Sequence, residues 1–152
     1  MREKRLFIFL ICSFVACNGK NDFTRSASGM EYKLVQRDAG GVPVKPGQYL
    51  KLSVVQRYGD TILRDPSRSG YEYQLIDSSQ MTEQAWELLH DACMNDSLVF
   101  RVSSDSAFKN KKPAFVKKKD WLVTTVKVLG ILANTDSVYS DRERQQLKNG
   151  MQ

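Results

Sequence analysis

Side chains able to make or break bonds are few in this chain. It has one histidine and three cysteines, and they do not stand at the short spacings that bind a metal ion. His90 sits within a run in which Met81, Ala85, Leu88, Leu89 and Ala92 recur with helical spacing. On that helix His90 points away from the apolar stripe, the position of an exposed structural residue rather than a catalytic base. Cys93 falls in the helix's last turn, where a small buried hydrophobe fits better than a reactive thiol. The other notable groups suit binding or, for the rings, core packing: the ring of Phe108 at the end of a strand, those of Tyr71 and Tyr73, and six lysines within residues 109–119. Loops at strand ends often carry binding chemistry.

The stretch that must position these groups is 94–108. Asn95-Asp96 is a turn signal, and Leu98, Phe100 and Val102 then alternate onto one face with Val99 and Arg101 on the other. A polar, serine-rich exit leads to Phe108. Similar alternation predicts strands through Met30, Tyr32 and Leu34, through Leu50, Leu52 and Val54 after the turn at Pro46-Gly47, and through Tyr71, Tyr73 and Leu75. Thr61-Ile62-Leu63 is a short β-prone segment, and 65–70, Asp65 included, is loop. Residues 121–129 form the longest β-prone run, with Leu122, Thr124, Val126 and Val128 on one face. The single helix spans 81–92, with Asp77, Ser78 or Ser79 available to cap it. Five or six antiparallel strands and one helix covering the sheet's apolar face make an α+β domain.

The N-terminus reads differently. Residues 1–5 are charged and 6–16 apolar apart from Ser13, a secretory signal peptide that is too short to span a bilayer. Its end, Phe14-Val15-Ala16-Cys17, is similar to the bacterial lipobox, which implies lipidation of Cys17 and a membrane anchor; ordinary signal cleavage is the alternative. Cys12 would leave with the signal and Cys17 carry lipid, so Cys93 has no intramolecular disulfide partner. Residues 17–28 are polar and predict a tether, and 133–152 a polar tail in which 140–149 can form a short helix. Removing the signal lowers the net charge from +6 to +4, which calls for no nucleic-acid partner; a monomer is expected. The lysine-rich loop is either a solvated segment or a contact for anionic lipid or acidic clients.

From residue 29 to about 131 the order of elements resembles the FKBP family of peptidyl-prolyl isomerases. Ser28-Gly29-Met30-Glu31-Tyr32-Lys33 is similar to the opening of bacterial FKBP lipoproteins, and Pro46-Gly47-Gln48 to the lead-in of the family's second strand. Met94-Asn95-Asp96 stands at the family's helix end, and 121–129 resembles its closing strand. The resemblance implies an FKBP-like domain over 29–132, with a curved sheet wrapped on one short helix. It also implies a cleft for proline-containing polypeptide clients, no cofactor and an extracytoplasmic role in folding. On the family's pattern the cleft residues are Val54, Asp65, Tyr71, Phe108 and Thr124. The pattern also departs from the family: Val54, Arg64, Ala85 and Thr124 stand where it has aromatic rings, and Phe108 has the ring of the family's tyrosine without its hydroxyl. A shallow or remodelled cleft follows, serving either isomerisation or binding without catalysis.

Overall fold

A computed structural model describes residues 23–27, 30–117 and 120–150. The signal sequence, Cys17 and most of the expected tether lie outside the described residues. The strands are β1 (Thr24–Arg25), β2 (Glu31–Gln36), β3 (Tyr49–Tyr58), β4 (Thr61–Arg64), β5 (Glu72–Leu75), β6 (Ser97–Ser103) and β7 (Trp121–Leu132). The helices are α1 (Pro66–Ser69), α2 (Glu83–Leu89), α3 (Ser104–Phe108) and α4 (Thr135–Gly150). One antiparallel seven-stranded sheet runs β1-β2-β6-β7-β3-β4, and β5 adds to β3. The seventh strand is β1, whose Thr24 and Arg25 pair with Tyr32 and Glu31. The sheet therefore reaches into the segment expected to be tether.

Because strand side chains alternate, the register sorts them into rows on one inner face. One row is Leu34, Leu98, Val126 and Val54; the next is Tyr32, Phe100, Thr124, Gln56 and Arg64; the third is Val102, Leu122 and Tyr58. Leu52 opposes both Val128 and Glu72 on the other side of the first row. Helix α2 packs Leu89, with Trp86 and Leu88, against Leu50, Leu52, Leu98 and Val126. The helix is shorter than the apolar stripe because Thr82 caps it, accepting from Ala85 N at 3.2 Å, and His90 ends it. Met81 and Ala92 remain in the core from outside the helix. His90 is exposed, its ring stacked on Trp86 at 5.3 Å.

The turn leaving this helix is built by its own residues. Asn95 has φ 69°, a left-handed conformation that asparagine tolerates better than most. Asp96, buried, accepts from Cys93 N and Asp38 N, both at 2.9 Å. Cys93 is buried as expected, and burial first, then the Asp96 charge, pushes its thiol pKa up.

Two segments differ from expectation. The serine-rich exit after β6 is helical because Ser103 caps α3, accepting from Asp105 N at 3.2 Å. The polar tail is helix α4, longer than 140–149, and it docks on the sheet's outer face. Lys51 and Tyr73 are opposed on β3 and β5 and face outward. Asp141 of α4 meets Lys51 Nζ at 2.7 Å and the Tyr73 hydroxyl at 2.6 Å, beside buried Val138.

Candidate functional site

Between α2 and the inner face of the sheet lies a cavity of about 340 Å³. Its apolar wall follows from the register: Leu52, Val54, Leu98 and Val126 come from adjacent strands, and Ala85, Leu88 and Leu89 from α2 face them. Val54 is on the same face as Gln56, one row away, and Thr124 stands directly opposite Gln56 across β3 and β7. The row Phe100, Thr124, Gln56 and Arg64 thus crosses the cleft, with a ring at one end and a cation at the other.

Polar groups sit at defined points of this apolar surface. Gln56 Nε2 donates to Thr124 Oγ1 at 3.3 Å, and Thr124 is buried. A hydroxyl that accepts one hydrogen bond still has its own proton to donate. Arg64 Nη1 lies 2.8 Å from Glu72 Oε1 as an ion contact outside hydrogen-bond alignment. Gln74 lines the same cleft and is held by its own bond to Leu75 O at 2.9 Å.

Of the five cleft residues named from the sequence, Val54 and Thr124 come together here and the other three do not. Asp65 caps α1, accepting from Ser67 N at 2.8 Å and from the Ser67 hydroxyl. The Ser67 hydroxyl bond, above all, holds its carboxyl below the usual range. Tyr71 lies on the outer side with its ring under Lys51 Nζ at 4.7 Å, and lines a groove with Tyr73 and Arg142 of α4. The physical reason is phase: Glu72 and Gln74 oppose Leu52 and Leu50 on the inner face, so Tyr73 must face out, and Tyr71 two residues before it follows. Phe108 packs in a second small core with Tyr58, Val116 and Leu122, because α3 turns its ring toward the loop that follows.

Phe100, Gln56, Glu72 and Gln74 line the cleft and were not singled out. Phe100 had a usable signal, since it shares the phase of Leu98; the amide and carboxylate positions had none apart from strand pairing. Phe100 is the one aromatic ring among the described residues that line the cleft.

No family model matches the chain, and no curated protein matches it by sequence. Solved structures do. The chain is similar to FkpA from Escherichia coli at 15% identity and a TM-score of 0.52, covering 74% of this chain and 53% of that one. It therefore spans about half the length of FkpA. It is similar to a peptidyl-prolyl cis-trans isomerase from Pseudomonas syringae pv. tomato at 15% identity and a TM-score of 0.51, over 75% of this chain and 84% of the other. AtFKBP13 matches at 14% identity and 0.51, over 72% and 98%. The shared property at such identities is the fold, which is FKBP-type.

Proposed function

We propose that this chain, an FKBP-type fold with an apolar cleft between α2 and its sheet, is a peptidyl-prolyl cis-trans isomerase that assists folding of extracytoplasmic proteins. The observation that carries the reading is the cleft itself, a row of alternating apolar side chains closed by α2 and crossed by the Gln56–Thr124 pair. Rotation about a peptide bond is opposed by a barrier of ~18–20 kcal/mol that arises from C–N resonance, and Xaa-Pro bonds therefore interconvert slowly. The planar amide is more polar than the twisted one. Transfer from water to a surface made by Leu52, Val54, Leu98 and Val126 costs the planar form more, which lowers the barrier. The Thr124 hydroxyl, oriented by Gln56, can donate to a carbonyl of the bound segment.

A second reading uses the same cleft for binding without catalysis. It is favoured by Phe100 being the one ring among the described lining residues, since each absent aromatic removes some 150–250 Å² of contact surface. A protease-coupled assay on an Ala-Leu-Pro-Phe peptide separates the two. Acceleration above the uncatalysed rate at micromolar protein is expected; none, together with saturable peptide binding, selects the second reading.

The anchor belongs to the same proposal: lipid on Cys17 holds the domain at the cell envelope. Expression of the Cys17→Ala chain is expected to give soluble, unacylated protein, and its continued retention in the membrane fraction would overturn the anchor.

A further inference from the structure

The sheet end that carries the row Val102, Leu122 and Tyr58 also carries a built surface outside the cleft. The loop after α3 is pinned there: Lys117 N donates to the Tyr58 hydroxyl at 2.6 Å, the Ser104 hydroxyl donates to Lys117 O at 2.8 Å, and Val116 is buried. Pinning at Lys117 beside the buried Val116 leaves Phe115 presented outward, 56% exposed, with its ring edge-on to Tyr58 at 6.0 Å. In the same loop Lys109, Lys111 and Lys117 are exposed. Among the described residues Lys112 is the loop lysine held in an ion pair, with Asp105.

A cation–aromatic cluster lies next to this end, although β1 itself starts farther from it, since Arg25 pairs with Glu31 and Thr24 with Tyr32. Arg101 is stacked between two rings, Phe23 at 4.2 Å and Trp121 at 4.3 Å, and Trp121 opens β7 directly after the basic loop.

From the outward ring of Phe115 and the exposed lysines of its pinned loop we infer that the loop surface of Lys109, Lys111, Phe115 and Lys117 docks on an anionic phospholipid bilayer. Phe115 enters the headgroup zone, and the lysines lie on headgroup phosphates. An aromatic residue among cations suits that interface, where the ring leaves water and the charges meet the negative surface potential. The lipid-binding surface does not rest on the proposed anchor.

The test uses the unacylated chain from residue 18, which retains every described element. Its partition onto phosphatidylglycerol-containing vesicles is measured beside pure phosphatidylcholine. Binding to the anionic vesicles alone, lost at 0.5 M salt, is expected. Lys109→Gln/Lys111→Gln/Lys117→Gln should lower it about a hundredfold, at roughly fivefold per lysine, and Phe115→Ala about fivefold. The triple variant should keep its activity on a soluble Xaa-Pro peptide, so loss of the isomerase reading and loss of the lipid surface are read separately. Phe115→Trp should give a blue-shifted emission component on binding. No anionic selectivity, an unaffected triple variant, or capture by polyglutamate without vesicle binding each overturns the proposal.

Discussion

Gln56 and Thr124 stand opposite each other on β3 and β7, and Gln56 Nε2 donates to Thr124 Oγ1 across 3.3 Å inside the cleft. The pair fixes the hydroxyl in a wall that is otherwise largely apolar. Thr124→Val keeps the shape and removes the hydroxyl, leaving the Gln56 amide short of an acceptor. A stability loss of about 1 kcal/mol in urea unfolding is expected. If the hydroxyl contacts substrate, kcat/KM on an Xaa-Pro peptide should fall about tenfold while Thr124→Ser recovers most of it. An unchanged rate in Thr124→Val would remove Thr124 from the reaction while leaving its structural role.

The turn after α2 depends on one carboxylate. Asp96 joins the Asp38 and Cys93 backbone N–H groups, each at 2.9 Å, in a buried position. Asp96→Ala leaves both donors unpaired, and a loss of about 3 kcal/mol is expected in chemical denaturation. Asn95, at φ 69°, should accept glycine at little cost, whereas Asn95→Val should lose about 1–2 kcal/mol. Equal midpoints for the glycine and valine variants would contradict the strained geometry.

Gly41 shows the same turn from its other side. A Cβ built there meets the Cys93 Cβ at 2.8 Å and Asp38 at 3.2 Å. Gly41→Ala should therefore cost about 1–3 kcal/mol through overpacking. Removing the opposing atom in Cys93→Gly should make the two changes couple, so that the double variant is less destabilised than the sum of the singles. Additive losses would show that the backbone yields instead.

What could be read from the chain alone follows from the period of its apolar residues. Leu50, Leu52 and Val54, and Leu122, Thr124, Val126 and Val128, all face the core side as their alternation requires, and the four-part resemblance ordered those strands into the FKBP-type fold. Alternation sorts a strand into two faces without saying which is inner. Tyr71 and Tyr73 were therefore legible as one face, but only pairing with β3 shows that Glu72 and Gln74 take the cleft. Helix α4 was visible only as a short polar helix over 140–149, with no sign of its docking, because it docks through Val138 and through the Asp141 contacts with Lys51 and Tyr73. A helix held by charge has no apolar stripe to announce it. Phe108 was assigned to the cleft by the family's pattern, and the polar run before it gave no sign that the Ser103 cap turns the chain into α3.

The docking of α4 makes stability depend on pH at both extremes. Burial alone would raise the Asp141 carboxyl, but the Lys51 ammonium, the Tyr73 hydroxyl and Arg144 together hold it below its usual value. Its contribution is therefore fully present above the unfolded carboxylate value of about 4. It is lost as pH falls from there through the lower folded value. Tyr73 is pushed up to about 12, first by burial and then by Asp141, so its contribution is present below about 10 and declines as pH rises from 10 toward 12. Asp141→Asn should lower the urea midpoint at pH 7, costing about 2 kcal/mol because Lys51 is left without its counter-charge, and should flatten the drop below pH 4. Tyr73→Phe should remove only the late step near pH 12 from the phenolate absorbance of the six tyrosines. Parallel acid limbs for the wild type and Asp141→Asn would show that α4 is held by Val138 and not by this ion pair.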